Sequence, residues 1–580
     1  MSTRRTYEAR MNANEPNEPT PAETPDVEGA YPRLTDAQIA VFESCGKRRR
    51  VAAGDLLFRE GEPTDGFFVV LSGLVGIVEG YGADDERVVS VHGPGRFLGE
   101  LGLLEGQVTF LTAVVLEAGE MLEVRRGELA KTLSREPEVG DLILRAYLNR
   151  RALLLGQGTG FRIIGSEHSP DTRRLLAFAA RNRLPHHWID PEREPRAEAL
   201  LRGVGVSVEQ TPVVLWGRAN VLRNPSNAQL AEAIGLRSPT PRAVGDLLIV
   251  GAGPAGLAAA VYGASEGLRP TVLDQTATGG QAGTSSRIEN YLGFPAGISG
   301  EQLAERAVIQ AIRFGARVNV PAAALALEPR EDGHYAVRLD DGGEITARAV
   351  VVATGARYRR LEVPGARAFE GLGIHYAATA WEARQCGSDQ AMVVGGGNSA
   401  GQAAVFLART AGRVFLVVRG DELGKDMSRY LVDRVEADRR IEVLLRHEVR
   451  AVTGERELEA AVVEDRRTGS TRTIPVAALF VFIGARPGTE WAAGVLALDG
   501  HGAVLTGRDA EAAACAAPER WRHLDRAPMV LETSYPGVFA VGDARSGSIK
   551  RVASAVGEGA MSIRLVHEYL REVGAPASAA

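Results

Sequence analysis

The sequence predicts a multidomain chain. An all-β roll with helices comes first, a small α/β domain follows, and a larger α/β core with two nucleotide-loop units comes last. Three observations predict this order: short apolar runs cut by glycines over residues 50–125, an alternation of apolar runs and a helix over 160–237, and two glycine-rich loops that follow apolar runs after residue 245. A chain of 580 residues is also too long for one hydrophobic core.

Composition excludes several classes of partner and site. A net charge of −6 gives no bulk attraction to nucleic acid. No stretch of the sequence reaches the roughly 18 apolar residues that a membrane span requires. The cysteines lie far apart, without the spacing of a metal site or a disulfide framework: Cys45, Cys386 and Cys515. We therefore expect a cytoplasmic protein with no nucleic-acid partner, no membrane partner and no metal.

The first 156 residues predict a tail and then the roll. Residues 1–30 are rich in Glu, Asn, Pro and Thr and poor in apolar side chains, which is typical of a disordered tail. Residues 31–156 make up the roll domain. Its short predicted strands are followed by a helical pattern over 128–155, where apolar residues recur every three or four positions.

The roll resembles a cyclic-nucleotide-binding domain. The stretch FLGELGLL is similar to the family's phosphate-binding cassette, and glycines lie at the family's turns: Gly54, Gly61 and Gly73. The resemblance implies that the Glu100 carboxylate accepts a hydrogen bond from a ribose hydroxyl, while backbone amides of 99–102 hold a cyclic phosphate. The ligand site that it implies comprises Gly99, Glu100 and Leu101.

The cassette lacks the arginine that the family uses for the phosphate. Val108, Thr109 and Phe110 stand where that arginine belongs. Loss of a charge-assisted hydrogen bond weakens binding by roughly one to two orders of magnitude. Two interpretations stay open: the roll senses a cyclic nucleotide or another small ligand, or it is a docking or dimerisation module.

Residues 157–237 resemble a small thioredoxin or glutaredoxin domain. Their predicted β-α-β-then-β order places Thr211-Pro212 where that fold has its cis-proline. The family's Cys-x-x-Cys turn is replaced by Ser169-Pro170-Asp171-Thr172. We expect Ser169 to cap the helix and the domain to be redox-inert. The proline-containing stretch 238–245 is expected to be a linker.

A glycine-rich loop follows the apolar run DLLIV, and its glycines have G-x-G-x-x-G spacing. This spacing lets a pyrophosphate approach the N-terminus of the next helix. Asp274 ends the following apolar run, about twenty residues on, where a carboxylate binds a ribose 2′-hydroxyl. The predicted dinucleotide site comprises Gly251, Gly253, Gly256 and Asp274.

A second loop of this kind lies in VVGGGNSAGQAA, with G-x-G-x-x-A spacing. The next apolar run ends in Arg419 instead of an acid, and cations at this point favour a 2′-phosphate, so NADPH is predicted over NADH. The alternative is that Arg419 only pairs with Asp421 or with solvent. The predicted site comprises Gly395, Gly397, Asn398, Ser399, Ala400, Arg419 and Lys425.

Residues 244–572 resemble bacterial thioredoxin reductases. Besides the two loops, the stretches GGQAGTSSRIENYLGFP and TSYPGVFAVGDARSGSIKRVASAVGEG carry the resemblance. It implies an FAD domain in two parts, 246–365 and 480–572, around an NAD(P)H domain at 366–479, and it implies a homodimer. Further FAD contacts implied by the resemblance are Gly280, Gln281, Asn290, Gly542, Asp543, Lys550, Arg551 and Val552.

One departure from that family decides the predicted activity. Family members carry Tyr-Cys-Ala-Thr-Cys-Asp, whereas this chain has YAATAW at 376–381, so Ala377 and Ala380 occupy the positions of the redox cysteines. Alanine supplies no thiolate for disulfide exchange. We expect an oxidoreductase that passes electrons from NADPH through FAD to an unknown external acceptor, such as a quinone, a carrier protein, a small oxidant or oxygen. The alternatives are a non-catalytic FAD/NADPH sensor or scaffold, and a reductase of an external disulfide.

Overall fold

The computed structural model describes residues 22–83, 86–103, 107–216, 220–237, 243–379, 382–383, 386 and 389–574. The chain divides into two compact units, Met1–Ser238 and Pro239–Ala580. Most of the predicted linker, residues 238–242, lies outside the described residues. Across the described ranges, no helix is long and apolar enough to cross a membrane.

The first unit begins with the roll, an antiparallel sheet in the order β1-β6-β3-β4, with β2 paired to β6 and β5 paired to β3. The two longest strands pair from Gly66↔Arg125 to Val78↔Thr112. Phenylalanine rings fill the core beneath them, with centroids 5.3 Å apart between Phe42 and Phe67. The strands are Lys47–Val51 (β1), Leu56–Phe58 (β2), Gly66–Glu79 (β3), Arg87–His92 (β4), Phe97–Leu98 (β5) and Thr112–Arg125 (β6).

The helical pattern predicted over 128–155 forms two helices. Pro137 has no N–H to donate to a preceding turn and takes the first position of the second helix, so the chain breaks at Glu136. The helices of the roll are Asp36–Glu43, Glu100–Leu103, Arg126–Arg135 and Pro137–Gly156.

The prediction of a disordered tail is wrong for residues 22–30. The Thr24 N–H donates to the Val91 oxygen (3.1 Å), the Thr24 hydroxyl accepts the Val91 N–H (2.8 Å), and Ala30 is buried. This segment adds hydrogen bonds to β4, which composition alone does not reveal. The rest of the predicted tail, residues 1–21, lies outside the described residues.

The second domain of this unit is a four-stranded sheet in the order β10-β9-β7-β8. The Ser169 hydroxyl caps its first helix by accepting the Thr172 N–H (3.3 Å), as predicted, and the Thr211–Pro212 peptide is cis. The likeness to thioredoxin-like folds stays a prediction. The elements are Phe161–Ile164 (β7), helix Pro170–Arg181, His186–Ile189 (β8), helix Arg196–Gly203, the 3-10 turn Val208–Gln210, Val213–Trp216 (β9), Asn220–Arg223 (β10) and helix Asn227–Ala233.

The second unit contains a mixed sheet in the order β13-β12-β11-β16-β15-β14, to which β27 adds beside β16. Residues from both ends of the unit therefore build one sheet. The strands are Gly245–Val250 (β11), Pro270–Leu273 (β12), Arg317–Asn319 (β13), Ala324–Pro329 (β14), Tyr335–Leu339 (β15), Glu344–Val352 (β16) and Val538–Ala540 (β27). The helices around it are Pro254–Ser265, Gly280–Gly283, Gly300–Arg313, Glu511–Cys515, Pro518–Trp521 and Val552–Glu572, with 3-10 turns at Glu490–Ala492, Gly507–Ala510 and Gly542–Ala544.

A second sheet of five parallel strands has the order β18-β25-β19-β20-β21, next to a three-stranded antiparallel sheet, β22-β23-β24. The two-stranded ladder β17-β26 lies where the chain leaves the mixed sheet and returns. The elements are Ala356–Tyr358 (β17), the 3-10 turn Ala366–Phe369, Ile374–His375 (β18), Gln390–Val394 (β19), helix Asn398–Leu407, Arg413–Val418 (β20), helix Arg429–Ala437, Ile441–Leu445 (β21), His447–Thr453 (β22), Ala460–Asp465 (β23), Thr471–Pro475 (β24), Ala478–Val481 (β25) and Ala485–Pro487 (β26).

Two predicted domain boundaries are wrong by one or two residues. Strand β25 pairs with β18 and β19 through Val481, so the parallel-stranded domain does not end at 479. Strand β11 already pairs with β16 at Gly245, which was assigned to the linker.

Candidate active site

The first glycine-rich loop joins β11 to helix Pro254–Ser265. Gly251 has a φ of +112°, and a Cβ there would lie 2.2 Å from a backbone oxygen, so only glycine fits. Gly256 packs directly beneath it. A Cβ on Gly253, which caps the helix, would meet only Gly280, at 3.9 Å. The space before the helix N-terminus is therefore open, as a dinucleotide pyrophosphate requires.

Asp274 stands at the end of β12 and holds this loop in place. Its carboxylate accepts the N–H groups of Ala252 (2.9 Å), Thr276 (2.9 Å) and Ala277 (3.1 Å). Burial raises the pKa of Asp274, and the three N–H donors together with the nearby Arg357 guanidinium oppose that rise. The carboxylate predicted to bind a ribose hydroxyl thus has a second task, which is to fix the loop.

The short helix Gly280–Gly283 brings the next predicted FAD residues to the loop. The Gly279 N–H donates to the Ala252 oxygen (2.7 Å), and Gln281 Nε2 donates to the Ala356 oxygen (3.3 Å). Asn290 lies further along this segment and is exposed. The structure therefore places Gln281 beside the first loop and Asn290 at the surface.

The segment after β27 is held by a residue that the sequence did not single out. Glu558 accepts the Gly542 N–H (2.7 Å) and pairs with Arg545 (2.7 Å). Burial raises the pKa of Asp543, the Lys550 ammonium opposes this, and the Glu558 carboxylate adds to it. The only signal of Glu558 in the sequence is a carboxylate between small residues, VGEGA. Glu558 therefore positions the turn that carries Asp543.

Lys550 and Arg551 are exposed and directly precede helix Val552–Glu572. This helix packs on the helix of the first loop at Gly559, where a Cβ would lie 2.1 Å from the Ala255 oxygen. The close approach joins the two predicted FAD segments.

The second glycine-rich loop repeats the geometry of the first. Gly395 has a φ of +145°, and a Cβ there would lie 2.4 Å from the Phe482 oxygen. Gly397 caps helix Asn398–Leu407, in which Ala400 is buried. The Asn398 side-chain oxygen accepts the Ser428 N–H (2.7 Å), which ties the loop to the residues after β20.

Backbone hydrogen bonds bring together the ends of β20, β21 and β23, each of which is followed by an arginine: Arg419, Arg446 and Arg466. Arg419 is exposed, and among the described residues its guanidinium forms no ion pair, so it does not pair with Asp421; its exposure also fits the alternative that it meets only solvent. The Arg466 guanidinium donates to the Arg419 oxygen (3.4 Å), and the Arg466 N–H donates to the Arg446 oxygen (2.8 Å). Lys425 is also exposed nearby in sequence. The sequence missed Arg446 and Arg466 because they follow other strands.

Tyr358 links the second loop to the Asp543 turn. Its ring meets the Phe482 ring edge-on, with centroids 5.6 Å apart. Burial raises the pKa of Tyr358, a hydrogen bond with Ser399 opposes the rise, and the Asp543 carboxylate adds to it. Elements of both predicted nucleotide sites therefore converge on one tyrosine.

An ion pair also joins the part of the chain that carries the second loop to the predicted FAD segment. Arg434, in helix Arg429–Ala437, donates to both carboxylate oxygens of Glu289, at 2.7 and 2.6 Å. Glu289 directly precedes Asn290, so this pair lies at the predicted FAD segment.

The described residues of the YAATAW segment and those after it are packed into the core around the five-stranded parallel sheet. Ala377 and Ala378 are buried, and the Thr379 N–H and hydroxyl both donate to the Glu382 carboxylate, with 3.0 Å for the N–H. Cys386 is buried in the same cluster, and its thiol donates to the Glu382 oxygen (3.6 Å). Ala380 lies outside the described residues.

A cation from another element lies beside the cassette of the roll. Glu100 is buried and pairs with Arg150 at 2.6 Å, and Gly99 and Leu101 flank it at a cavity. Arg150 comes from helix Pro137–Gly156, too far along the chain for cassette spacing to reveal it.

Comparisons with known proteins match both the core of the second unit and the roll. Residues 245–559 match the family described as pyridine nucleotide-disulphide oxidoreductase, and residues 48–136 match the cyclic nucleotide-binding domain. The thioredoxin reductase of Mycolicibacterium smegmatis is 33% identical over 335 residues, which cover 57% of this chain and 99% of that protein. A Clostridium pasteurianum protein described as a 34.2 kDa protein in the rubredoxin operon is 31% identical over 333 residues, covering 56% of this chain and 97% of that protein.

A solved structure gives the same result. Lactococcus lactis thioredoxin reductase in its FR conformation superposes with a TM-score of 0.50 at 25% identity, covering 57% of this chain and 99% of its own. The chain therefore belongs to the pyridine nucleotide-disulphide oxidoreductase family as an FAD-dependent oxidoreductase that uses FAD and NADPH, and it carries an N-terminal cyclic nucleotide-binding domain.

Proposed function

We propose that this oxidoreductase passes electrons from NADPH through FAD directly to an external acceptor, without a dithiol of its own. The packing of the described residues of this segment, 376–379, 382–383 and 386, is the observation that carries the proposal. Ala377 and Ala380, which occupy the positions of the redox cysteines, supply no sulfur. The Thr379 N–H and hydroxyl both donate to the Glu382 carboxylate, which ties Thr379 to Glu382. A redox pair would need two thiols that can reach both the flavin and a partner.

The nearby thiol supports the same proposal. Burial, together with the Glu382 and Asp389 carboxylates, raises the pKa of Cys386 to about 12. At pH 7 the thiolate fraction is then on the order of 10⁻⁵, too small for disulfide exchange. This counts against reduction of an external disulfide through Cys386.

The chain's own part in the reaction is to hold two dinucleotides close together. The hydride and electron chemistry belongs to the bound cofactors. Gly251 and Gly253 leave room for one pyrophosphate, Gly395 and Gly397 leave room for the other, and Tyr358 lies between the two sites. These residues bind and orient the two dinucleotides, and none of them needs to accept electrons.

Arg419 supports NADPH as the preferred donor. Its exposed guanidinium directly after β20 suits a dianionic 2′-phosphate, whereas the NADH ribose offers it only hydroxyls. By analogy with thioredoxin reductases we also propose a homodimer. The thioredoxin-like domain is proposed to be redox-inert and the roll to be a regulatory module.

The first test replaces the remaining sulfur near the site. Cys386→Ser should leave NADPH oxidation with a quinone or oxygen within about twofold of the unmodified protein, because a thiol with a raised pKa takes no part in turnover. Steady-state assays measure this, with Cys515→Ser as a matched control on an exposed cysteine. Loss of acceptor reduction in the Cys386→Ser variant alone would refute direct transfer.

The second test concerns the donor. Arg419→Ala should weaken NADPH binding by roughly 10- to 100-fold while NADH changes by less than about twofold, since only NADPH presents a phosphate to the side chain. Arg409→Ala, an exposed arginine beyond the far end of helix Asn398–Leu407, is the control. Equal losses for both nucleotides, measured by anaerobic titration, would show that Arg419 does not read the phosphate.

The third test restores the missing sulfurs. In Ala377→Cys/Ala380→Cys, NADPH should generate two additional thiols that react with a maleimide, because the pair returns to the position of the family's dithiol. Mass spectrometry counts the labels before and after reduction, and either single-cysteine variant serves as control. Labelling that NADPH does not change would mean that this segment does not reach the flavin.

A further inference from the structure

The roll encloses a cavity of about 770 Å³, including its open mouth, between the sheet and helix Pro137–Gly156. Its wall is mainly apolar, and the side chains include Phe58, Ile77, Val89, Leu98, Leu101 and Phe110. Polar side chains of Glu100, Arg150 and His92 also line it. The cavity is therefore suited to an apolar body with few polar groups.

Glu100 and Arg150 form a buried pair that is only half satisfied. Their side chains are 1% and 5% exposed, and Arg150 Nη1 donates to Glu100 Oε1 at 2.6 Å. The other nitrogen, Nη2, and the other oxygen, Oε2, have no hydrogen-bond partner. Buried polar groups are nearly always paired, so a free donor and a free acceptor on one ion pair mark a place for a ligand group.

The charges around this pair disfavour an anion. The positive charge of Arg150 is matched by Glu100, and the cassette offers only Val108, Thr109 and Phe110 where a phosphate would need a cation. Arg151 also lines the cavity, but its Nε and Nη2 donate to the Arg183 oxygen at 3.2 and 3.0 Å. Moving a charged phosphate from water into a cavity with such apolar walls costs free energy that no free cation here would offset.

The histidine on the wall does not supply that cation. Burial lowers the pKa of His92 well below its ordinary value, and the Arg150 and Arg96 guanidinium groups lower it further, so the ring is neutral at pH 7. Its Nδ1 is also buried without a partner, while Nε2 bonds with the Ser90 hydroxyl (3.0 Å).

We propose that this roll binds an uncharged, largely apolar molecule that carries a hydroxyl group, in place of a cyclic nucleotide. The hydroxyl donates its proton to Glu100 Oε2 and accepts a hydrogen bond from Arg150 Nη2, while the apolar body fills the space along Ile77, Leu98 and Phe110. Both unpaired atoms of the ion pair are then satisfied without adding charge.

Calorimetry on the full flavin-loaded chain tests the proposal with three probes: 4-ethylphenol, 4-ethylanisole and cyclic AMP. 4-Ethylphenol should bind with a Kd at least about tenfold lower than that of 4-ethylanisole, which keeps the shape but cannot donate a hydrogen bond. Cyclic AMP should bind more weakly than 4-ethylphenol. Because this comparison uses the unmodified protein, it does not depend on whether any variant folds.

Variants then locate the site. Glu100→Gln should weaken 4-ethylphenol binding by roughly 10- to 100-fold, since it replaces a charged acceptor. Val89→Trp, which fills the cavity without touching the pair, should abolish binding, whereas Glu117→Gln on the exposed face of β6 should change nothing.

Four results would overturn the proposal. Cyclic AMP could bind more tightly than 4-ethylphenol, 4-ethylanisole could bind as tightly as 4-ethylphenol, or no probe could bind at all. In the fourth case 4-ethylphenol would perturb the flavin absorbance, and neither Glu100→Gln nor Val89→Trp would change its Kd. That result would place 4-ethylphenol at the flavin.

Discussion

The hydrogen bonds from Thr379 to the Glu382 carboxylate hold the segment on which the proposed direct transfer depends. Ala378, Ala383 and Cys386 pack together in the core around the five-stranded parallel sheet. Once that segment is packed in this way, its one described thiol is buried with a raised pKa and cannot act as a nucleophile. The rest of the reductase core then needs only to bring two dinucleotides together.

This constraint also changes what the domains must do. With no dithiol to reduce, nothing in the proposed cycle requires the nicotinamide domain to turn away from the flavin domain. The Arg434–Glu289 ion pair and the Tyr358 contacts join the two domains in one arrangement. The ion pair is partly exposed and contributes only about 0–1 kcal/mol, so it favours this arrangement without locking it.

The features that could be predicted from the sequence are those set by residues close together along the chain. The turns at Gly251 and Gly395 follow from glycine spacing, and the cap at Ser169 follows from its place before a helix. The sequence did not predict contacts between distant segments: Arg150 with Glu100, or Glu558 with Gly542. Such partners are brought together by packing, and a lone charged residue in a helix gives no sign of what it will meet.

Composition gave a wrong prediction where a locally polar segment forms hydrogen bonds with a distant strand. Residues 22–30 are polar enough to suggest disorder, yet Thr24 bonds to Val91 in both directions because β4 leaves its backbone groups available there. The cassette shows the same limit. Val108–Phe110 include no arginine, and the cation of the cavity comes from helix Pro137–Gly156, 50 residues beyond Glu100.

Direct transfer to an external acceptor requires that the flavin be the only redox centre that NADPH reduces in this protein. An anaerobic titration of the purified protein with NADPH, followed through the flavin absorbance band, tests it most directly. If electrons leave directly from the flavin, about one NADPH, or two electrons, per FAD completes the bleaching. An endpoint at two NADPH, or four electrons, per FAD would reveal a second acceptor within the chain and contradict direct transfer.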